Sequence, residues 1–161
     1  MPRSYEVLFE QVVISAAQDL VEVYFGASIY KSLKILQAWL SCVDTTVPPS
    51  TFLPVRARIL ASTVTHGTGG GSAVIKPCDP GDSTAAFTAL SNNATTKATT
   101  TGAIQFQYDD GFHVYQGFEK MFPRPPQMVG GQGQSFVFEL LAVPASFSAK
   151  FSGGLLVEEA G

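Results

Sequence analysis

Short apolar runs of strand length recur from Ser4 to Glu158, separated by Gly, Pro, Ser, Thr, Asn and Asp. That rhythm predicts an all-β sandwich or barrel. Tyr5, Val7 and Phe9 fall on one face of the opening segment, with Glu6, Leu8 and Glu10 on the other. This is the period of two of a strand wet on one side. Leu20 to Phe25 is β-branched and aromatic and stops at the turn-suited Gly26. Between Ser28 and Ser41 the spacing of Ile29, Leu33, Leu36 and Leu40 suits a helix, whereas Leu33, Ile35 and Trp39 suit a strand face. A strand from about Leu33 to Cys42 is favoured, because its neighbours are strands.

The loop at Val47 to Thr51 is set by its prolines, and Val55, Ala57 and Ile59 then alternate with Arg56, Arg58 and Leu60 in a strand with one basic face. Gly67 to Ser72 reads as a flexible connection and Ala73 to Ile75 as a short strand, ended by the turn-rich Pro77 to Asp82. Ala85 to Leu90 is a weaker strand candidate, followed by a low-complexity tract, Asn92 to Thr101, for which mobility is expected. Ile104, Phe106 and Tyr108 alternate with glutamines, and Asp109-Asp110-Gly111 signals a hairpin before Phe112 to Phe118. Phe122 to Gln134 is a long loop by its prolines and glycines, and Ser135 to Val143 and Lys150 to Glu158 close the chain as strands. The sum is about eight to ten strands, a jelly-roll-like antiparallel β-sandwich. Tyr5 to Phe9 and Leu155 to Val157 are the pair expected to meet in one sheet.

A chain of 161 residues suits one domain spanning residues 1–161. Only 14% of the residues are charged while 45% are hydrophobic, a shortage of charge that hints at surface buried against partners. The net charge of −3 gives no footprint for nucleic acid. Met1 to Glu6 has no apolar signal core, and Leu33 to Val43 is too short for a bilayer and holds Lys34, so neither secretion nor a membrane is expected.

Candidate chemistry is sparse. Cys42 and Cys78 read as buried free thiols. A shared metal site on His66 and His113 would need a third ligand, and no cluster of His and Glu supplies one. Asp79, Asp82, Asp109 and Asp110 lack calcium-loop spacing and suit turns. Glu158 and Glu159 point to opposite strand faces and cannot flank one bond, so they read as a solvated chain end. Gly67 to Gly71 lacks the Lys and helix of a phosphate cradle. Tyr24, Tyr30, Tyr108, Tyr115 and Trp39 could stack sugars, against the need of the core for aromatics. No catalytic, cofactor-binding or metal residue is expected. Arg56, Arg58 and Arg124 suit contacts with carboxylates on a partner, and Phe118, Met121, Phe122 and Met128 suit apolar anchors beside them.

Four segments carry a resemblance: Arg3 to Phe9 (RSYEVLF) with Ala17 to Val23 (AQDLVEV), and Phe138 to Ala145 (FELLAVPA) with Gly153 to Glu159 (GGLLVEE). They look like small structural proteins of tailed bacteriophages, and the chain resembles in particular the jelly-roll decoration, or cement, proteins of the phage head. The resemblance implies a non-enzymatic virion protein on the capsid surface, assembled in the host cytoplasm. It also implies a homo-oligomer, a trimer before a dimer, bound to the major capsid protein. The segments Gly67 to Ser72, Asn92 to Thr101 and Pro123 to Gln134 are expected to order on contact. The alternative is a glycan- or receptor-binding sandwich, from a phage tail or lectin-like, and a cupin-type enzyme ranks third.

Overall fold

The computed structural model describes residues 1–46 and 50–161, so the proline loop expected from Val47 falls mainly outside the described residues. Among the described residues there are fourteen strands and no helix. They are β1 (Arg3–Ile14), β2 (Gln18–Phe25), β3 (Ser32–Cys42), β4 (Phe52–Leu60), β5 (Val64–Thr65), β6 (Gly71–Ser72) and β7 (Val74–Pro77). Then follow β8 (Phe87–Asn93), β9 (Thr99–Thr100), β10 (Ile104–His113), β11 (Phe118–Met121), β12 (Gln127–Val129), β13 (Ser135–Leu140) and β14 (Ala149–Ala160).

One sheet runs β11-β3-β14-β1-β7, with β12 also on β3, and the second runs β10-β4-β13-β2-β8-β6. We call them sheets A and B. All their pairings are antiparallel. From β1 to β4 the chain changes sheet at every strand, and it does so again through β10, β11, β13 and β14. Four central strands, β1-β14-β3-β11, thus face another four, β2-β13-β4-β10. This nesting is that of a jelly roll. The expected neighbours meet, with Tyr5 opposite Val157 and Val7 opposite Leu155.

The inward residues of both sheets form one core rich in phenylalanine. Phe118 of sheet A stacks on Phe138 of sheet B at 5.5 Å between ring centroids, and Phe112 meets Phe151 edge-on at 6.4 Å. Gln11 takes a positive φ of 53° between Phe9 and Val12, where the β1 register shifts. The bulge keeps Phe9, Val12 and Ile14 turned to the core and turns Val13 outward.

Several expectations are corrected. Asp109-Asp110-Gly111 is not a turn: it lies inside β10, opposite Arg56, Val55 and Pro54. The chain turns at Val114 to Gly117, where the His113 carbonyl accepts from the Gln116 and Gly117 amides and Gly117 has φ 69°. The strands on either side then belong to different sheets, so they form no hairpin. The tract from Asn92 to Thr101 is held in place: Thr99 and Thr100 pair with Thr65 and Val64, and Thr96 bridges Thr68. Gly71 and Ser72 pair with β8, and the long loop carries β12. The segment from Ser28 to Ser41 holds a strand, β3, as favoured.

Candidate functional site

The two sheets differ on their outer faces. Sheet B is covered by its own chain, since β5 and β9 form a small separate sheet, a flap that packs Val64 and Ala98 on Leu60 and Val137. Beneath this flap lie three buried carboxylates, Asp19, Glu22 and Glu139. Each occupies the outward position of a β2 or β13 strand whose inward residues, Val21, Val23, Phe138 and Leu140, build the core.

Glu22 accepts from the Gly67 amide at 3.0 Å, the Ser135 hydroxyl at 2.7 Å and Asn93 Nδ2 at 3.4 Å, and lies 2.6 Å from His66 Nδ1. Asn93 reaches it because Asn92 adopts a positive φ of 57°. Glu139 accepts from Lys97 Nζ at 3.1 Å, and Arg58 Nε stands 2.9 Å away as an ion pair without hydrogen-bond alignment. Asp19 accepts the Ala98 amide on Oδ2 at 2.5 Å, and its buried Oδ1 meets no donor among the described residues. Burial pushes the Asp19 carboxyl up to about 7, the Glu139 and Glu22 charges add to the rise, and the Ala98 amide and Lys97 oppose it. Among the described residues no group of three or more His, Cys, Asp or Glu could hold a metal ion. The carboxylates are committed to fastening the flap.

The residues singled out for partner contact separate into inner and outer sets. Phe118, Phe122 and Met128 are buried in the core, so their side chains anchor the two sheets to each other and not to a partner. Arg58 is ion-paired with Glu139, and its Nη2 donates to the Ala98 carbonyl at 3.1 Å. Arg56 binds Asp109 at 2.6 Å, which also holds the Asp109 carboxyl below its ordinary value. Met121 and Arg124 are exposed.

Other residues move from their expected setting. Glu159 is buried, bound to Lys31 Nζ at 2.6 Å and to the Ala86 amide at 2.8 Å, and only Glu158 sits at a partly open pair with Lys34. Cys78 is exposed and Cys42 half-buried. His66 stacks on Tyr24, while His113 has its own partners in Phe52, Tyr115 and Ser50. Asp79 caps its turn through the Gly81 amide at 2.9 Å. The tyrosines occupy separate places and make no common platform: Tyr24 is under His66, Tyr108 under Lys120, and Tyr30 at the β2–β3 turn.

A set of exposed apolar side chains stands at the two ends of the sandwich, of which the sequence marked only Tyr30 and Tyr115. At one end are Val13, Val43, Phe52 (72% exposed) and Tyr115 (54%). Register joins them in two pairs, one on each sheet: Val13 pairs Lys150, whose carbonyl accepts the Val43 amide, and Phe52 pairs His113, whose ring meets Tyr115. At the other end are Tyr30 (82%), Ile104 and Val129, with Val129 paired to Ser32 and Ile104 to Leu60. No family model matches this chain, and no curated protein and no solved structure matches it either.

Proposed function

We propose that this protein is a non-enzymatic virion subunit, a decoration or cement protein that binds the outside of a tailed-phage head, self-associates and bridges major capsid subunits. The observation that carries the reading is the placement of exposed large apolar residues at both ends of the sandwich, Phe52 and Tyr115 at one and Tyr30 at the other. A bridging subunit needs two contact surfaces that point apart, and apolar anchors of this kind supply most of the energy of protein contacts. The shortage of charge in the chain is consistent with surface that ends up covered. Repetition over a shell multiplies a modest affinity into strong attachment. Of the residues suggested by the sequence, Met121 and Arg124 are exposed, which supports the reading. A trimer suits local three-fold positions.

The test is co-sedimentation of the full chain with purified heads of the phage that encodes it, alongside sedimentation analysis of the chain alone. The chain should pellet with heads and form an oligomer. Phe52→Asp and Tyr30→Asp should each lower head binding or self-association while leaving the thermal melt in place. A monomer that ignores heads overturns the reading, and glycan-array binding by such a monomer would favour a receptor-binding module instead.

A further inference from the structure

Among the described residues no flap covers the outer face of sheet A, which holds a groove of about 370 Å³. Five of its lining residues, Glu119, Trp39, Gln37, Leu156 and Glu6, stand on two cross-strand rows. In one, Glu119, Trp39, Gly154 and Leu8 lie side by side on β11, β3, β14 and β1. In the next, Met121, Gln37, Leu156 and Glu6 do the same. Gly154 is fixed as glycine, since a Cβ there would stand 2.1 Å from the Val7 carbonyl oxygen. Its missing side chain leaves a gap in the row between Trp39 and Leu8.

The groove has one aromatic wall and a polar frame. Trp39 and Leu156 give apolar lining, while Glu6, Gln37, Gln116 and Glu119 give hydrogen-bonding groups. Gln37 Nε2 donates to Glu119 Oε1 at 2.7 Å, which holds both head groups in place before any ligand arrives. Among the described residues no lysine, arginine or histidine lines the groove. An anion would therefore meet carboxylates and no compensating charge. A hydroxyl-rich neutral ligand meets acceptors for its protons and, for a ring with an apolar C–H face, an indole to lie against.

We propose that the Trp39 groove binds a ring of a neutral sugar. The ring lies on the indole and donates hydroxyl protons to Glu119 and Glu6. The size of the groove falls in the range of small-ligand sites, roughly 300–1,000 Å³. The site lies on a sheet face, with Met121 in its second row and Gln116 beside Tyr115, so the test reads sugar binding directly, by a measurement separate from head binding.

Trp39 is the only tryptophan of the chain, so tryptophan emission excited at the red edge, where tyrosine does not absorb, reports on this groove alone. The experiment titrates the full chain with glucose, N-acetylglucosamine and their linear tetramers, with sialic acid as an anionic probe. A neutral tetramer should shift the emission saturably, with Kd on the order of 1 mM or below. Glu119→Ala should weaken that binding by about fivefold or more, the loss of a charge-assisted hydrogen bond, with an unchanged melting temperature. Trp39→Phe, followed by calorimetry, should weaken it as well. The absence of a saturable shift with every neutral sugar overturns the proposal, as does preference for sialic acid or full affinity in Glu119→Ala.

Discussion

His66 Nδ1 lies 2.6 Å from Glu22 Oε1 and ties the flap to a carboxylate that solvent does not reach. The histidine is 40% exposed on its other side, so its removal costs less than that of its partner. Glu22→Ala would leave the Gly67 amide and the Ser135 hydroxyl without their acceptor and should destabilise the fold by about 3 kcal/mol. His66→Ala should cost about 1 kcal/mol. Urea unfolding of both singles and the double should give a coupling of about 0.5–2 kcal/mol.

Asp19 sets a pH dependence. Its folded value of about 7 stands above the ordinary 3.8, so between those two pH values the native state holds a proton that the unfolded chain has released. Stability from this group is therefore full below about pH 4 and declines as pH rises to 7. Asp19→Asn keeps an acceptor for the Ala98 amide and removes the titration. Between pH 5 and pH 8 the wild type should lose roughly 2–4 kcal/mol relative to Asp19→Asn, measured by denaturant unfolding at each pH.

Two glutamates of the same kind should behave differently. Glu139 is buried against Lys97 and Arg58, and Glu139→Gln should cost about 2–4 kcal/mol by leaving Arg58 without its counter-charge. Glu158 meets Lys34 at a partly open position, and Glu158→Gln should cost under about 1 kcal/mol. Equal losses would mean that the covered face is wet.

Gly67 is packed against the carboxylate network. A Cβ there would lie 2.5 Å from Asn93 Nδ2 and 2.8 Å from Asp19 Oδ2. Gly67→Ala should lift the flap before it disturbs the core, seen as faster amide exchange at Ala98 and Thr65 with Val7 and Leu155 unchanged.

The sandwich was legible because its signal is local. Tyr5, Val7 and Phe9 alternate and do face inward, and the ambiguity of β3 was settled by its strand neighbours. The hairpin read at Asp109-Asp110-Gly111 failed because Arg56, fifty-three residues away in the chain, supplies Asp109 with a partner that makes a straight strand favourable. Phe118, Phe122 and Met128 looked like spare apolar groups, but only the folding of β11 and β12 against β3 shows that the core takes them. The network failed to show for the same reason. Glu22 and Glu139 occupy ordinary outward positions, and nothing near them in sequence says that residues from His66 to Ala98 will lie on top. Alternation reports which way a side chain turns, not what arrives to cover it.

The opening strand takes its ladder from the closing one, with Arg3 opposite Glu159 and Ile14 opposite Ala149. The central pair of sheet A therefore cannot assemble until β14 has been made, long after β1. Folding of this sheet waits for β14 and must then close the long loop between the two strands, a high-contact-order search that belongs in the millisecond-to-second range. During that interval the aromatic stretches of β1 and β2 stand open to solvent and to other copies, so early contact with chaperones protects the chain from aggregation.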